Sequence, residues 1–495
     1  MRWTRTKNSI FSLFTEKKNG STAKFQKKAL LARLNDSAET VLGKKYGFRE
    51  ISSTQSYQQK VPVHHYEDLK PYWDSESTGN INVTVGSRIH KFAVSTGTTG
   101  IPKLIPVTRK LLRDFRRRGM QLVSIYLKAH PESRILSKKH LAITGSAILG
   151  KTQSGIPYGT ISGIMAEGSP LLMRHKRIPT SEVINLCDWN QKADSIAEQA
   201  RHQDIGLILG IPATILNYLE KIKGIYSKSD FEFFASNLEA IFCSGVNYRS
   251  YQDKIQSLLG RKVNFLDYYA ASEGIFGHQS AIDPDSMEFF SDTIFFEFIP
   301  FHEYLQKDYS NRKLLHQLKD GEDYALLVTT GNGTFSYVLG DLIQCVDHRV
   351  PLFRVKGRTV LTLNLAGEKT AISVVEKTVQ SLSRELNSEP GEFFVTGRTI
   401  NGRQSYLWVI EKNSIWDSQG TERLASRLDH FLQEHNNLYK LLYPTNFSPS
   451  QVLLIERDSF KAWFERKNAD LGHSKIPRII KDPRIAEDII GKMEA

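Results

Sequence analysis

Ile205-Gly206-Leu207-Ile208-Leu209, Ala240-Ile241-Phe242-Cys243 and Val263-Asn264-Phe265-Leu266 are three short, almost wholly apolar runs. Helical patterns over 211–222 and 248–259 separate them, and another over 192–201 precedes them. A strand apolar at nearly every position is buried on both faces, as in a parallel sheet covered by helices. The alternation therefore predicts an α/β architecture with parallel strands.

Outward from this block the pattern changes twice. After Asp283 it becomes richer in strands, at 293–299, 324–330 and 341–346. Beyond Val355-Lys356-Gly357-Arg358 come β-like runs at 359–363, 392–397 and 406–410, with helical patterns at 371–386 and 421–432. That remainder is a small α+β module large enough to be a domain. The predicted domains are 1–357 and 358–495. Upstream, 22–35 reads as a helix, with Phe25, Ala29, Leu30 and Leu34 near one face. Thr108 is a plausible helix start for Leu111, Leu112, Phe115, Leu122, Val123 and Tyr126. Arg113 and Arg116 to Arg118 are expected on the wet faces of that helix.

Composition narrows the class. A chain of 495 residues with 40% hydrophobic and 10% aromatic content is globular and too long for one core. Cys187, Cys243 and Cys345 lie far apart, with no metal-ligand spacing and no disulfide framework, which fits a reducing compartment. The apolar stretch 205–219 is broken by glycine and proline and too short to span a bilayer. Met1 to Lys18 has no apolar core of the kind that precedes a cleavage site, so a cytoplasmic protein is expected. The net charge is +13, and residues 1–50 hold twelve Lys/Arg against Glu16, Asp36, Glu39 and Glu50. Such an excess can attract nucleic acid or an anionic membrane, or favour anionic substrates. No zinc finger, helix-turn-helix signature or aromatic-interleaved basic motif is present, so no nucleic-acid partner is expected.

The chemistry is concentrated in a few segments. Ser95-Thr96-Gly97-Thr98-Thr99-Gly100-Ile101-Pro102-Lys103 follows the β-like run Lys91 to Val94. Glycines let backbone amides approach a ligand, hydroxyls donate to phosphate oxygens, and Lys103 adds a point charge. A polyphosphate such as ATP suits this loop; a polar hairpin turn fits the same residues. It is not a Walker loop, because no Gly-Lys-Ser/Thr ends it. Tyr268-Tyr269-Ala270-Ala271-Ser272-Glu273-Gly274 follows the run at 263–266, at the carboxyl end of a parallel strand where ligands bind. A ring can stack on a purine, a hydroxyl can bond a phosphate, and a carboxylate can hold Mg2+. Tyr337-Val338-Leu339-Gly340-Asp341 offers a carboxylate for ribose hydroxyls, and Arg358 stands at the expected domain junction. A core tyrosine, a turn aspartate and a surface arginine are the structural alternatives.

In this order the segments resemble the core motifs of the acyl-adenylate-forming superfamily. Within it they are most similar to the Gretchen Hagen (auxin-responsive) family of acyl-acid amido synthetases. Val61-Pro62-Val63 with Tyr66-Glu67-Asp68-Leu69-Lys70-Pro71-Tyr72 carries that narrower likeness, as does Tyr269 to Gly277. Gly367-Glu368-Lys369-Thr370 and Gly472-His473-Ser474-Lys475-Ile476-Pro477-Arg478 extend it.

The resemblance implies a large amino-terminal ATP-binding domain with helix-flanked β-sheets and a small mobile carboxy-terminal domain, with the site between them. It implies that Ser95, Thr96, Thr98, Thr99 and Lys103 bind the ATP phosphates. Tyr269 would pack on adenine, with Ser244, Gly245 and Val246 lining the base. Ser272 would contact the α-phosphate, Glu273 the Mg2+ and Asp341 the ribose, while Arg358 acts at the hinge. Lys475 looks like a late catalytic lysine. The implied partners are a carboxylic acid and an amine, expected to be an amino acid. Transfer to a thiol such as coenzyme A, or a retired nucleotide-binding homologue, are the alternatives. Many relatives carry Tyr-Arg-x-Gly-Asp where this chain has Val338. The loop 154–163, with Gly155, Gly159 and Gly163, also looks family-like, as a site loop or a plain surface loop.

Overall fold

The computed structural model describes residues 22–96, 102–169, 171–245, 248–281, 283–359, 362–363, 365–366, 368, 370–466 and 476–491. The chain divides into two compact units, Met1–Leu339 with Ile343–Arg354, and Gly340–Leu342 with Val355–Ala495.

The strands of the first part are β1 (Lys91–Thr96), β2 (Pro102–Val107), β3 (Lys139–Ala142), β4 (Gly150–Lys151), β5 (Pro157–Gly159), β6 (Arg177–Ile178), β7 (Ile205–Gly210) and β8 (Ala240–Cys243). There follow β9 (Asn264–Ala271), β10 (Gly274–Gln279), β11 (Met287–Phe289), β12 (Phe295–Pro300), β13 (Asp323–Thr329), β14 (Tyr337–Asp347) and β15 (Leu352–Arg358). A small sheet runs β2-β1-β5-β4, and a large one β12-β13-β14-β15-β11-β10-β9-β8-β7-β3-β6. Neighbours from β6 to β9 are parallel, whereas β9, β10, β11 and β15 pair antiparallel. The expected α/β class and parallel block are therefore present.

The period-two pattern explains that block. Ile208 and Ile241 face one core, shared with Ile196, Ile215, Leu219 and Ile255, while Leu207 and Phe242 face the other. The covering helices follow the sequence closely. They include α1 (Thr22–Asp36), α2 (Val41–Lys45), α3 (Tyr66–Ser77), α4 (Arg109–Ala129), α5 (Trp189–Ala200), α6 (Pro212–Ile225), α7 (Lys228–Asn237) and α8 (Arg249–Leu259). Thr108 caps α4, its hydroxyl accepting from the Leu111 N–H at 3.0 Å.

Three expectations need correction. The strand at 263–266 runs on to Ala271, and the strand expected at 341–346 begins earlier, at Tyr337, so that Gly340 lies inside β14. Arg118 is buried, unlike Arg113, Arg116 and Arg117. It pairs with Asp292, donates to Thr293 Oγ1 at 2.9 Å and lies 4.5 Å from the Phe290 ring centroid. Leu111, Phe115, Arg118 and Leu122 form the inward stripe at i, i+4, i+7 and i+11, so helical phase outweighs charge here.

Glu76, in the last turn of α3, is 2% exposed. Its Oε1 accepts from the Thr84 N–H at 2.8 Å and the Thr84 hydroxyl at 2.7 Å. Burial pushes its carboxyl up to about 7, against the opposing pull of Thr84 and Val85. A carboxyl raised in the folded state costs stability as pH climbs from the unfolded value toward the folded one. Glu76→Gln is therefore expected to gain roughly 3 kcal/mol over the parent between pH 5 and pH 8, from the pKa difference. Denaturant unfolding at both pH values measures it; equal pH slopes would contradict the account.

The remaining segment holds α9 (Ile372–Leu386), α10 (Thr421–His435), β16 (Thr362–Leu363), β17 (Thr370–Ala371), β18 (Phe393–Ile400), β19 (Arg403–Glu411), β20 (Gln451–Ile455) and β21 (Ile479–Ile480). Its four-stranded sheet runs β20-β19-β18-β21. Val395, Tyr406 and Trp408 pack with Val379 and Leu428, while Phe394, Leu407 and Val409 pack with Phe460 and Ile489. Both sheet faces are covered.

Candidate active site

β8 and β9 are parallel neighbours, with Cys243 opposite Asp267. β8 ends there, and Ser244 and Gly245 follow, Gly245 at φ +88. β9 continues to Ala271, which pairs with Gly274 at the start of β10. Ser272 and Glu273 are thus the whole of a two-residue hairpin connection. Hairpin tips usually face water, yet Ser272 is 8% exposed and Glu273 6%. A buried hydroxyl and carboxyl now stand at the carboxyl edge of a parallel sheet, where an open α/β fold binds ligands.

Tyr269 is 9% exposed. Its ring lies 5.1 Å from that of Phe276 and 5.7 Å from that of Phe353, so much of it belongs to the aromatic core. The neighbouring Tyr268 hydroxyl hydrogen-bonds Ser244, which links β9 to the loop after β8. Asp267 went unremarked in the sequence, although a carboxylate between Leu266 and Tyr268 in an apolar strand is itself a signal. Burial pushes its carboxyl up to about 7, with the Tyr268 N–H pulling it back. The His278 Nδ1 lies 2.8 Å from the Gln279 carbonyl oxygen, and its ring packs on Phe290.

At the other motifs the structure is equally specific. Ser95 pairs with Lys103 and Thr96 with Pro102 across the β1–β2 ladder. The Lys103 ammonium lies 4.6 Å from the Tyr66 ring centroid. Thr98, Thr99, Val246 and Lys475 lie outside the described residues, as do the side chains of Ser95 and Thr96.

Asp341 and Arg358 are brought together within the second unit, Arg358 Nη1 donating to Asp341 Oδ1 at 2.9 Å. Gly340 makes this possible: its φ of +87 is a left-handed conformation that a side chain would strain. Val338 points elsewhere, into an apolar cluster with Ile299, Ala325 and Leu327.

Two family-like segments have structural work. A Cβ at Gly163 would stand 2.4 Å from the Gly145 carbonyl oxygen, so this end of the 154–163 loop is fixed by backbone packing. The Glu368 carboxylate accepts from the Leu365 N–H at 2.8 Å, the Ala366 N–H at 2.7 Å and the Tyr406 hydroxyl at 2.8 Å. It shapes the turn before β17.

Among the described residues, one carboxylate–imidazole group has ligand atoms within 4.8 Å of one another, Asp320, Asp347 and His348. It does not include Glu273, and Arg349 forks onto Asp347 at 3.0 and 2.9 Å. The Glu273 carboxyl suits a hard cation better in kind: Mg2+ takes one or two carboxylates, with phosphate oxygens and waters completing its shell.

Two solved acid-activating ligases share this architecture. A solved GH3.15 acyl acid amido synthetase in complex with 2,4-DB matches with a TM-score of 0.79 at 16% identity, over 99% of this chain and 95% of that one. A 2-hydroxyisobutyryl-CoA ligase in its postadenylation state, in complex with 2-HIB-AMP, matches with a TM-score of 0.62 at 14% identity, over 94% and 92%. More narrowly, the GH3 family N-terminal domain matches residues 14–200, the central domain 287–358 and the C-terminal domain 369–484, so the chain belongs to the GH3 family. An indole-3-acetic acid-amido synthetase, GH3.3 of Arabidopsis thaliana, is 22% identical over 93% of this chain and 90% of its own length.

Proposed function

We propose that this chain joins a carboxylic acid to an amine, taken to be an amino acid, at the expense of ATP. It is a ligase forming carbon–nitrogen bonds. A free carboxylate resists attack because it is anionic and lacks a leaving group. One carboxylate oxygen therefore bonds to the α-phosphorus of ATP, and pyrophosphate leaves. The amine then bonds to the acyl carbon of the resulting mixed anhydride, losing a proton, and AMP leaves. The protein's task is positioning and charge neutralisation, so no covalent nucleophile is needed.

The observation that carries this reading is the buried Ser272-Glu273 tip at the carboxyl edge of the parallel sheet in a GH3 chain. Ser272 donates to the α-phosphate, and Glu273 holds Mg2+. The metal, when bound, supplies positive charge to the phosphate oxygens. Ser95, Thr96, Thr98, Thr99 and Lys103 hold the outer phosphates. Ser244, Gly245, Val246 and Tyr269 line the base, with the small exposed area of Tyr269 limiting its share. Asp341 takes the ribose hydroxyls, steered by Arg358. Lys475 neutralises charge at the reacting phosphorus. The working domains are 1–357 and 358–495. Three free cysteines, Cys187 among them exposed, suit the cytoplasm.

Likeness to the CoA ligase favours one second reading, transfer to a thiol. A screen of aryl and alkyl acids for carboxylate-dependent exchange of labelled pyrophosphate into ATP tests the first half-reaction. With the active acid, pooled amino acids are expected to give a product that survives hydroxylamine. A hydroxylamine-labile product formed only with coenzyme A would establish the thiol reading, and no exchange with any acid would defeat both.

A further inference from the structure

Among the described residues, the two most exposed large hydrophobic side chains are Ile81 at 59% and Val41 at 54%. They are neighbours. The Val41 N–H donates to the Asn82 carbonyl at 2.9 Å, and the Leu42 N–H to the Val83 carbonyl at 3.0 Å. These two bonds tie the start of α2 to the loop carrying Ile81. A single exposed aliphatic residue is ordinary, but the two largest exposures side by side make a blunt apolar tip.

The rim of this tip is cationic. Lys45 lies one helical turn from Val41 and on the same face. Its ammonium is 2.9 Å from the Tyr72 hydroxyl and 5.3 Å from the Tyr46 ring centroid. Lys44 and Arg49 share a single carboxylate, Glu39, at 3.9 and 2.6 Å, which leaves that trio net positive. Cations and half-buried tyrosines around protruding aliphatic side chains match the layering of an anionic lipid surface: hydrocarbon, interface and headgroup.

We propose that the Val41/Ile81 tip and its rim of Lys44, Lys45 and Arg49 form a peripheral docking surface for an anionic bilayer. Nucleic acid fits less well, because single-strand binders present aromatic platforms for bases, and aliphatic branches offer none. Docking here is peripheral, since no helix among the described residues is long and apolar enough to cross a membrane. None of these residues takes part in the proposed reaction, so the surface stands or falls independently of it.

The test is co-sedimentation of the full chain with vesicles of phosphatidylcholine alone or of equimolar phosphatidylcholine and phosphatidylglycerol. Binding is expected only to the mixed vesicles, weakening as salt rises. Val41→Asp with Ile81→Asp should lower the partition coefficient by at least tenfold, and Lys44→Gln roughly fivefold, with thermal unfolding unchanged. No partition into mixed vesicles, partition of the Asp double variant equal to the parent's, or capture by a single-stranded oligonucleotide in place of vesicles would overturn the proposal.

Discussion

Glu273→Ala is expected to lower carboxylate-dependent pyrophosphate exchange on the order of a thousandfold, the loss typical of a charge-stabilising group in a closed site. The reason is positional. Glu273 sits at a connection too short to let a neighbour take its place, and it is 6% exposed. Removing its carboxyl leaves the metal–phosphate charge without that counterpart. Glu273→Gln keeps the shape and discards only the charge, so it should fail nearly as badly. Ser272→Ala, which deletes one hydroxyl donor, should cost roughly a hundredfold. Circular dichroism and thermal unfolding of the three variants should match the parent. Full exchange in either Glu273 variant would remove that residue from the machinery.

Lys475→Ala should separate the two half-reactions. A lysine is a compact point charge, suited to neutralising the phosphorus centre as pyrophosphate departs. Loss of about two to three orders of magnitude in exchange is expected for such a contact. Aminolysis needs no new charge at phosphorus, so amide formation from a supplied acyl-adenylate should stay within about threefold of the parent. Equal damage to both steps would mean that Lys475 serves the protein in some other way.

Much of this architecture could be read from the residues. Strands apolar at nearly every position announced a sheet covered on both sides, and Ile208 and Leu207 duly enter different cores. Helical phase was legible too. Arg118 was misread because charge was given more weight than its place on the inward stripe, where Asp292 and the Phe290 ring compensate its burial. The strand from Asp341 was legible, but its start at Tyr337 was not, because glycine is a poor strand former in isolation, whereas β14 gains its pairing from neighbours distant in sequence. Asp267 was passed over although its place in an apolar strand was a local signal; the fold adds its register opposite Cys243 and the burial that raises its carboxyl. The candidate site was legible as chemistry in Ser272, Glu273, Asp341 and Arg358. That Ser272 and Glu273 are buried at a hairpin tip, and that Asp341 meets Arg358, required the fold.

The brevity of the β9–β10 connection constrains how this lineage can vary. Strand faces alternate residue by residue, so one amino acid added between Ala271 and Gly274 would have to be absorbed as a bulge or would turn β10 over. Turning it over would carry Phe276 out of the aromatic core that holds Tyr269. A longer bend would therefore disturb the proposed catalytic pair and the alignment of a sheet together, both being written in the same two letters.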